Sequence, residues 1–201
     1  MVFSRGVRIM KLLEDRILAC GKVLPGEVLK VDSFLNHQID PELVTQLGKA
    51  FYDRFSLYNI TKILTVESSG IVLAFAAAQY FKVPVVFGKK GKHKNVGDNV
   101  YSCDCFSFTK GETCTISVSK SYLSEEDNIL IIDDFLANGE AANCLLNIIA
   151  QAGAHVAGIG IAIEKGFQPG GQMLRDKGID VQSLAIIESM SDTSVTFRSD
   201  D

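Results

Sequence analysis

Several features that would settle a function early are missing. There is no C-x-x-C pair, and the five cysteines (Cys20, Cys103, Cys105, Cys114 and Cys144) are scattered. Cys103 and Cys105 have no histidine near them at zinc spacing, so metal-finger and dithiol chemistry are set aside. The thiols are expected to be reduced and packed, as in a cytoplasmic protein. No apolar run reaches the length of a membrane span. The opening "MVFSRGVRIMKLLEDRIL" has no signal-peptide h-region. Nor is there a basic excess: net charge is −4 and pI about 5.4, which disfavours a general nucleic-acid binder. Repeats, linkers and low-complexity segments are absent as well. What remains is one even chain of 201 residues, 47% hydrophobic and 22% charged. That suits a single domain, 1–201, with its own core and neither membrane nor nucleic acid as partner. Met10 opens a clean amphipathic helix, so residues 1–9 are expected to be an upstream extension outside the fold.

The pattern along the chain alternates strands and helices. A first helix runs from about Met10 to Gly21. Residues 21–40 have no helical period and read as irregular or short-strand structure. Asp40-Pro41 starts a helix, with Asp as N-cap and Pro at the first helical position; Leu43, Val44, Leu47, Phe51 and Phe55 form its apolar face. Strands follow at 62–66, 84–87, 113–118, 129–132 and 155–165, then "SLAIIES" and "SVTF". Helices are expected at 71–81 and from about 139. Residues 88–98, "GKKGKHKNVGD", read as a polar loop carrying Lys89, Lys90, Lys92 and Lys94. Such alternation implies an α/β fold, a mainly parallel sheet flanked by helices.

The most informative stretch is "ILIIDDFLANGEAA", 129–142. An unbroken apolar strand runs into two adjacent carboxylates, Asp133 and Asp134, then a turn and a helix. In parallel sheets ligands bind beyond the carboxyl ends of strands. The helix start offers free backbone N–H groups and the positive end of the dipole to an anion. Gly139 lets the chain approach closely, and Ala137 and Asn138 are small. A phosphate cradle and two hydroxyl acceptors would thus lie side by side, which suits a ribose 5-phosphate. Alternatively, one of the Asp residues caps the helix. Two like charges side by side, however, call for a hydroxyl or cation to offset them.

Residues 129–139 resemble the phosphoribosyl pyrophosphate (PRPP) signature of the type I phosphoribosyltransferases: four apolar, two acidic, two variable, one small, one unrestricted residue, then Gly. Many members have Thr where Asn138 stands; Asn can still donate to a phosphate oxygen. The resemblance implies that Asp133 and Asp134 hold the ribose hydroxyls and, weakly, Mg2+. It also implies that Ala137, Asn138, Gly139, Glu140 and Ala141 hold the 5-phosphate. "VESSG", 66–70, matches the family's pyrophosphate loop, with Ser68, Ser69 and Gly70; taken alone it is an ordinary capped turn. The lysine run resembles the mobile loop of adenine-type members, with Lys89 and Lys90 favoured over Lys92 and Lys94 as catalytic groups. The bland reading is a solvated charge run.

Two further stretches, "VLKVDSFLNHQIDP" (28–41) and "IEKGFQPG" (164–171), resemble the xanthine-using bacterial members of this family. The likeness runs from about residue 10 to 198. It implies a small hood from about 10–40 and 165–201, with Leu29 and Asn36 over the purine and Lys165 against it. An Asn36 amide can satisfy the C2 carbonyl of xanthine and the Lys165 ammonium its O6, disfavouring guanine. Phe34 or Phe167 either stacks on the ring or packs in the core. The implied reaction is xanthine plus PRPP to xanthosine 5′-monophosphate and pyrophosphate, with Mg2+, in a homodimer, as purine salvage. Ala137 stands where hypoxanthine–guanine relatives carry an Asp base, so xanthine is expected to react as an anion. Two rivals remain: a PRPP-sensing regulator without catalysis, and an enzyme preferring guanine or hypoxanthine.

Overall fold

The computed structural model describes residues 3–91, 99–107 and 112–199. At its centre lie five parallel strands. β3 (Lys62–Val66) pairs with β4 (Val85–Gly91) on one side and β7 (Asn128–Leu136) on the other; β8 (His155–Lys165) and β9 (Val181–Met190) follow. Antiparallel strands extend both edges: β10 (Val195–Phe197) beyond β9, and β6 (Glu112–Ser119) and β5 (Val100–Ser107) beyond β4. The order of this eight-stranded sheet is β10-β9-β8-β7-β3-β4-β6-β5. A separate hairpin, β1 (Lys22–Leu24) with β2 (Val28–Lys30), leads into a π-helical turn at Asp32–Asn36.

Helices cover both faces. α1 (Phe3–Cys20), α2 (Pro41–Phe55) and α3 (Gly70–Phe81) pack on one side, in a cluster holding Leu13, Leu47, Phe51, Leu73, Leu130 and Ile132. α4 (Glu140–Gln151) and α5 (Gly170–Asp176) pack on the other, with Leu145, Leu174, Ile129 and Ile131. Asp40 caps α2 as its sequence demands, accepting from the N–H groups of Glu42 and Leu43 at 3.1 Å each. The expected apolar face of α2 is buried in full. β8 has the bounds read from sequence.

Several expectations change. Residues 3–9, expected as an upstream extension, are helical and continuous with the rest of α1. β7 runs on through both Asp133 and Asp134 to Leu136, because β8 still pairs with it there. The lysine segment is not a loop at its start: Lys89 and Lys90 lie in β4, held by pairing with Ser117 and Ile116 of β6. Lys92 and Lys94 lie outside the described residues. β5 and α5 have no counterpart in the sequence reading. Residues 181–190 and 195–197 belong to the main sheet, and the β1–β2 hairpin and the π-helical turn stand apart from it within the 10–40 segment expected to form a hood.

Candidate active site

β3 and β7 are neighbours whose chains leave in opposite directions. β3 passes through α3 to β4 on one side, and β7 through α4 to β8 on the other. Between them lies the switch point of the sheet, where a crevice opens beyond the strand ends. A cleft of about 530 Å³ occupies it. One wall runs from the end of β3 through the turn to the start of α3: Val66, Glu67, Ser68, Ser69 and Gly70, with a cis Glu67–Ser68 peptide. The other wall is Asp133, Asp134 and Phe135, with Ala141 from the first turn of α4; Lys90 closes the side toward β4.

Each group has a local cause. Asp133 is only 8% exposed and accepts the Asp134 N–H at 3.0 Å. Burial first, and then the adjacent Asp134 carboxylate, push Asp133 well above the usual carboxylate range; that N–H and Lys90 oppose the shift. Gly70 is needed where the walls meet. A Cβ there would stand 2.7 Å from Asp133 Oδ1 and would overlap Thr65 Oγ1, a fully buried hydroxyl with no hydrogen-bond partner among the described residues. Glu67 was not singled out by sequence. Its carboxylate accepts the Lys90 N–H at 2.6 Å and fastens the turn to β4. The available signal was an acidic residue directly before "SSG".

The turn 137–139 leads into α4 through Gly139, whose φ of +85° favours glycine. Its carbonyl accepts the Asn143 side-chain amide at 2.9 Å, and the Ala137 carbonyl accepts the Gly170 N–H at 3.0 Å. α5 therefore buttresses the turn from behind. Of the five residues 137–141, Ala141 lines the cleft wall; Ala137, Asn138, Gly139 and Glu140 form the turn and helix start beside it.

Lys89 and Lys90 are placed differently. Neighbours along a strand point to opposite faces, so with Lys90 in the cleft Lys89 is directed away, and it is absent from the lining. Leu29, Asn36 and Lys165 lie outside the cleft wall, around the hood. Lys165 ends β8 and donates to the Glu27 carbonyl at 2.7 Å, while Gln168 Nε2 donates to the Glu27 carboxylate at 3.1 Å. Burial lowers the Lys165 pKa and Glu27 partly restores it. Asn36 ends the π-helical turn with a buried Oδ1 that has no partner among the described residues. Leu29 joins an apolar cluster against which Phe135 packs, so Phe135 links hood to cleft. Phe34 is 1% exposed, a core residue; Phe167 is half-buried against the same cluster. Asp133 and Asp134 offer hard oxygen donors. Among the described residues, no three His, Cys, Asp or Glu side chains converge on one metal position.

Known proteins resemble this chain along most of its length. The family model "Phosphoribosyl transferase domain" matches residues 36–197. A xanthine phosphoribosyltransferase of Ruminiclostridium cellulolyticum is 58% identical over 188 residues, covering 94% of this chain and 99% of that protein. One from Clostridium novyi is 54% identical, covering 94% and 100%. Among solved structures, the adenine phosphoribosyltransferase of Giardia lamblia in complex with 9-deazaadenine superposes with a TM-score of 0.74 at 22% identity, covering 89% of this chain and 98% of that one. At that identity the likeness concerns the fold.

Proposed function

The chain belongs to the phosphoribosyltransferase family, and from that premise we propose that it transfers the phosphoribosyl group of PRPP to xanthine, giving xanthosine 5′-monophosphate and pyrophosphate in purine salvage. The observation that carries the transfer is the meeting, in one cleft, of the Asp133–Asp134 pair, the Ser68–Gly70 turn and Lys90. The choice of xanthine rests on the full-length relatives and on Asn36 and Lys165.

In this reading the N–H groups at the start of α4 hold the 5-phosphate. The Ser68–Gly70 turn and Lys90 take the pyrophosphate and stabilise its growing charge as it leaves. Asp133 and Asp134 accept hydrogen bonds from the ribose hydroxyls and favour positive charge on the sugar. Their carboxylates also fit Mg2+ held largely through water and substrate oxygens. When bound, that ion would supply positive charge to the pyrophosphate. Asn36 and Lys165 donate to the two purine oxygens, with Leu29 and Phe135 giving apolar cover. No base is needed if xanthine binds as an anion, which the Lys165 ammonium favours. That hypothesis expects the rate to rise with pH through the ionisation of xanthine; a flat profile sinks it. We also propose a homodimer, because α3 is apolar and leaves Phe75 61% exposed, and a cytoplasmic location, in keeping with the free thiols.

The test is PRPP-dependent nucleotide formation with Mg2+, offering xanthine, guanine, hypoxanthine and adenine side by side. Preference for xanthine is expected. Asn36→Ala should lower kcat/KM for xanthine by about 1–3 kcal/mol, roughly 5- to 150-fold. Turnover of another purine in preference would overturn the base assignment. PRPP binding without turnover would favour a sensor.

A further inference from the structure

Behind Lys90 lies a group of thiols that the transfer reaction does not use. Cys105 of β5 stands directly opposite Cys114 of β6, and Cys103 opposite Ile116. Lys90 of β4 is paired with Ile116 from the other side. Paired residues share a face, as do residues two apart along a strand. Lys90, Ile116, Cys103, Cys105 and Cys114 therefore project to one side of this ribbon. α4 covers that side, and its buried Cys144 donates to the Cys103 carbonyl at 3.1 Å. All these cysteines are free thiols.

Opposed residues in an antiparallel pair have Cα atoms about 4.5–5.5 Å apart, inside the window a disulfide requires. Cys105 is also the thiol whose surroundings favour the thiolate. Hydrogen bonding from Cys144 brings its pKa down to about 7 against the opposing effect of burial, with Lys90 helping, Glu140 opposing and Cys114 adding a weaker hydrogen bond. Cys114 and Cys144 are both pushed up, so they remain thiols and donors. Cys105 is buried at 6% exposure whereas Cys20 is exposed, so the order in which they oxidise separates thiolate character from access.

We propose that Cys105 is a peroxide-reactive thiol and that Cys114 resolves it as a cross-strand disulfide. The Cys105 thiolate attacks one oxygen of hydrogen peroxide. The O–O bond breaks, hydroxide leaves, and the sulfur is oxidised to a sulfenic acid. The Cys114 sulfur then attacks that sulfur; the S–O bond breaks, the S–S bond forms, and water leaves with the Cys114 proton. Two thiols and one peroxide become one disulfide and two waters. Lys90 ties this chemistry to the cleft. An anion that neutralises Lys90 removes part of the field favouring the thiolate, so pyrophosphate slows the oxidation.

The wild-type protein is treated with one equivalent of hydrogen peroxide at pH 7, alkylated and mapped by peptide mass spectrometry, with and without pyrophosphate. The Cys105–Cys114 link is expected first, with Cys20 still reduced. For equal access, a thiol of pKa about 7 outpaces an ordinary one by about threefold at this pH, after allowing for its lower nucleophilicity. The rate should follow an ionisation near 7. Cys114→Ser should leave a sulfenic acid that a cyclic dione traps at Cys105. Loss of Cys20 before Cys105, or a link from Cys105 to Cys144, overturns the proposal. Equal rates at a pyrophosphate concentration that calorimetry finds saturating overturn the coupling to Lys90. Failure of pyrophosphate to bind at all counts against the PRPP site itself, and the peptide map still decides the thiol pair.

Discussion

Gly170 touches no substrate in the proposed site, yet its replacement should disable it. A Cβ on Gly170 would stand 2.6 Å from Gly139 N and 2.7 Å from Asn138 C, and closer still to the Ala137 carbonyl oxygen. All three are backbone atoms of the turn assigned to the 5-phosphate, so no flexible side chain can yield. Restoring ordinary contact at 3.4 Å requires the turn and α5 to separate by more than about 0.8 Å, roughly 1 Å at the Ala137 carbonyl. Overpacking of this kind costs about 1–3 kcal/mol. If the strain falls on the bound geometry, kcat/KM for PRPP drops roughly 5- to 150-fold. A displacement of about 1 Å in a positioning element has effects of the same order. The control is Gly178→Ala. Gly178 has a φ of +78° and nothing within 4 Å of its missing Cβ. That variant carries only left-handed strain, about 1–2 kcal/mol, seen as a Tm loss of roughly 2–8 °C with unchanged kinetics. Steady-state assays over a PRPP series, with thermal melts of both variants, decide the matter. A Gly170→Ala enzyme within about twofold of wild-type kcat/KM for PRPP would refute the argument.

Other outcomes follow from single contacts. Lys90→Ala should cost about 1.5–3 kcal/mol in kcat/KM for PRPP, roughly 10- to 150-fold, while Lys89→Ala stays near wild type; equal losses would return both lysines to the cleft. Arg175 makes a two-pronged ion pair with Glu164, at 2.7 Å to each carboxylate oxygen, and Glu164 is only 2% exposed. Arg175→Met should destabilise by about 3–5 kcal/mol in urea titrations near pH 7, by stranding a buried carboxylate. Burial pushes the Glu164 pKa up, but Arg175 and Ser183 outweigh it and hold it below its ordinary value. The pair's stabilisation is thus complete above about pH 4.3 and lost as pH falls through the lower folded value, so the gap between wild type and variant should narrow only in acid. A gap that widens in acid contradicts that sign.

The parts of the fold legible in sequence were those whose cause is local. Asp40-Pro41 announces α2 because cap and first turn lie within four residues of each other. The 129–142 stretch announces a strand, a turn and a helix for the same reason. What escaped depended on partners distant in sequence. β5, "VYSCDCFS", alternates weakly apolar with polar side chains and becomes a strand by pairing along its length with β6. Lys89 and Lys90 are extended because β6 holds them, not through any strand preference of "GKKG". α5 begins with two glycines and is anchored by the Arg175–Glu164 contact across 11 residues. In the site, the turns and carboxylates were readable as motifs. Glu67, Phe135 and the Glu27 contact to Lys165 emerge only when strand ends and hood are brought together.

β7 has a consequence for how the molecule opens. Ile129 and Ile131 lie in the core on one face, Leu130 and Ile132 in the core on the other, all fully buried, between β3 and β8. Amide protons in such a strand exchange only when the whole domain unfolds. Asp133 and Asp134 are carried on the continuation of this strand, whereas Lys90 rides on the exposed end of β4. Hydrogen exchange should therefore divide the cleft in two. The half proposed to hold the sugar is protected by the last unit to open, and the half proposed to hold the pyrophosphate belongs to a unit that opens earlier. Leaving group and ribose would then be gripped by parts of the chain with different lifetimes.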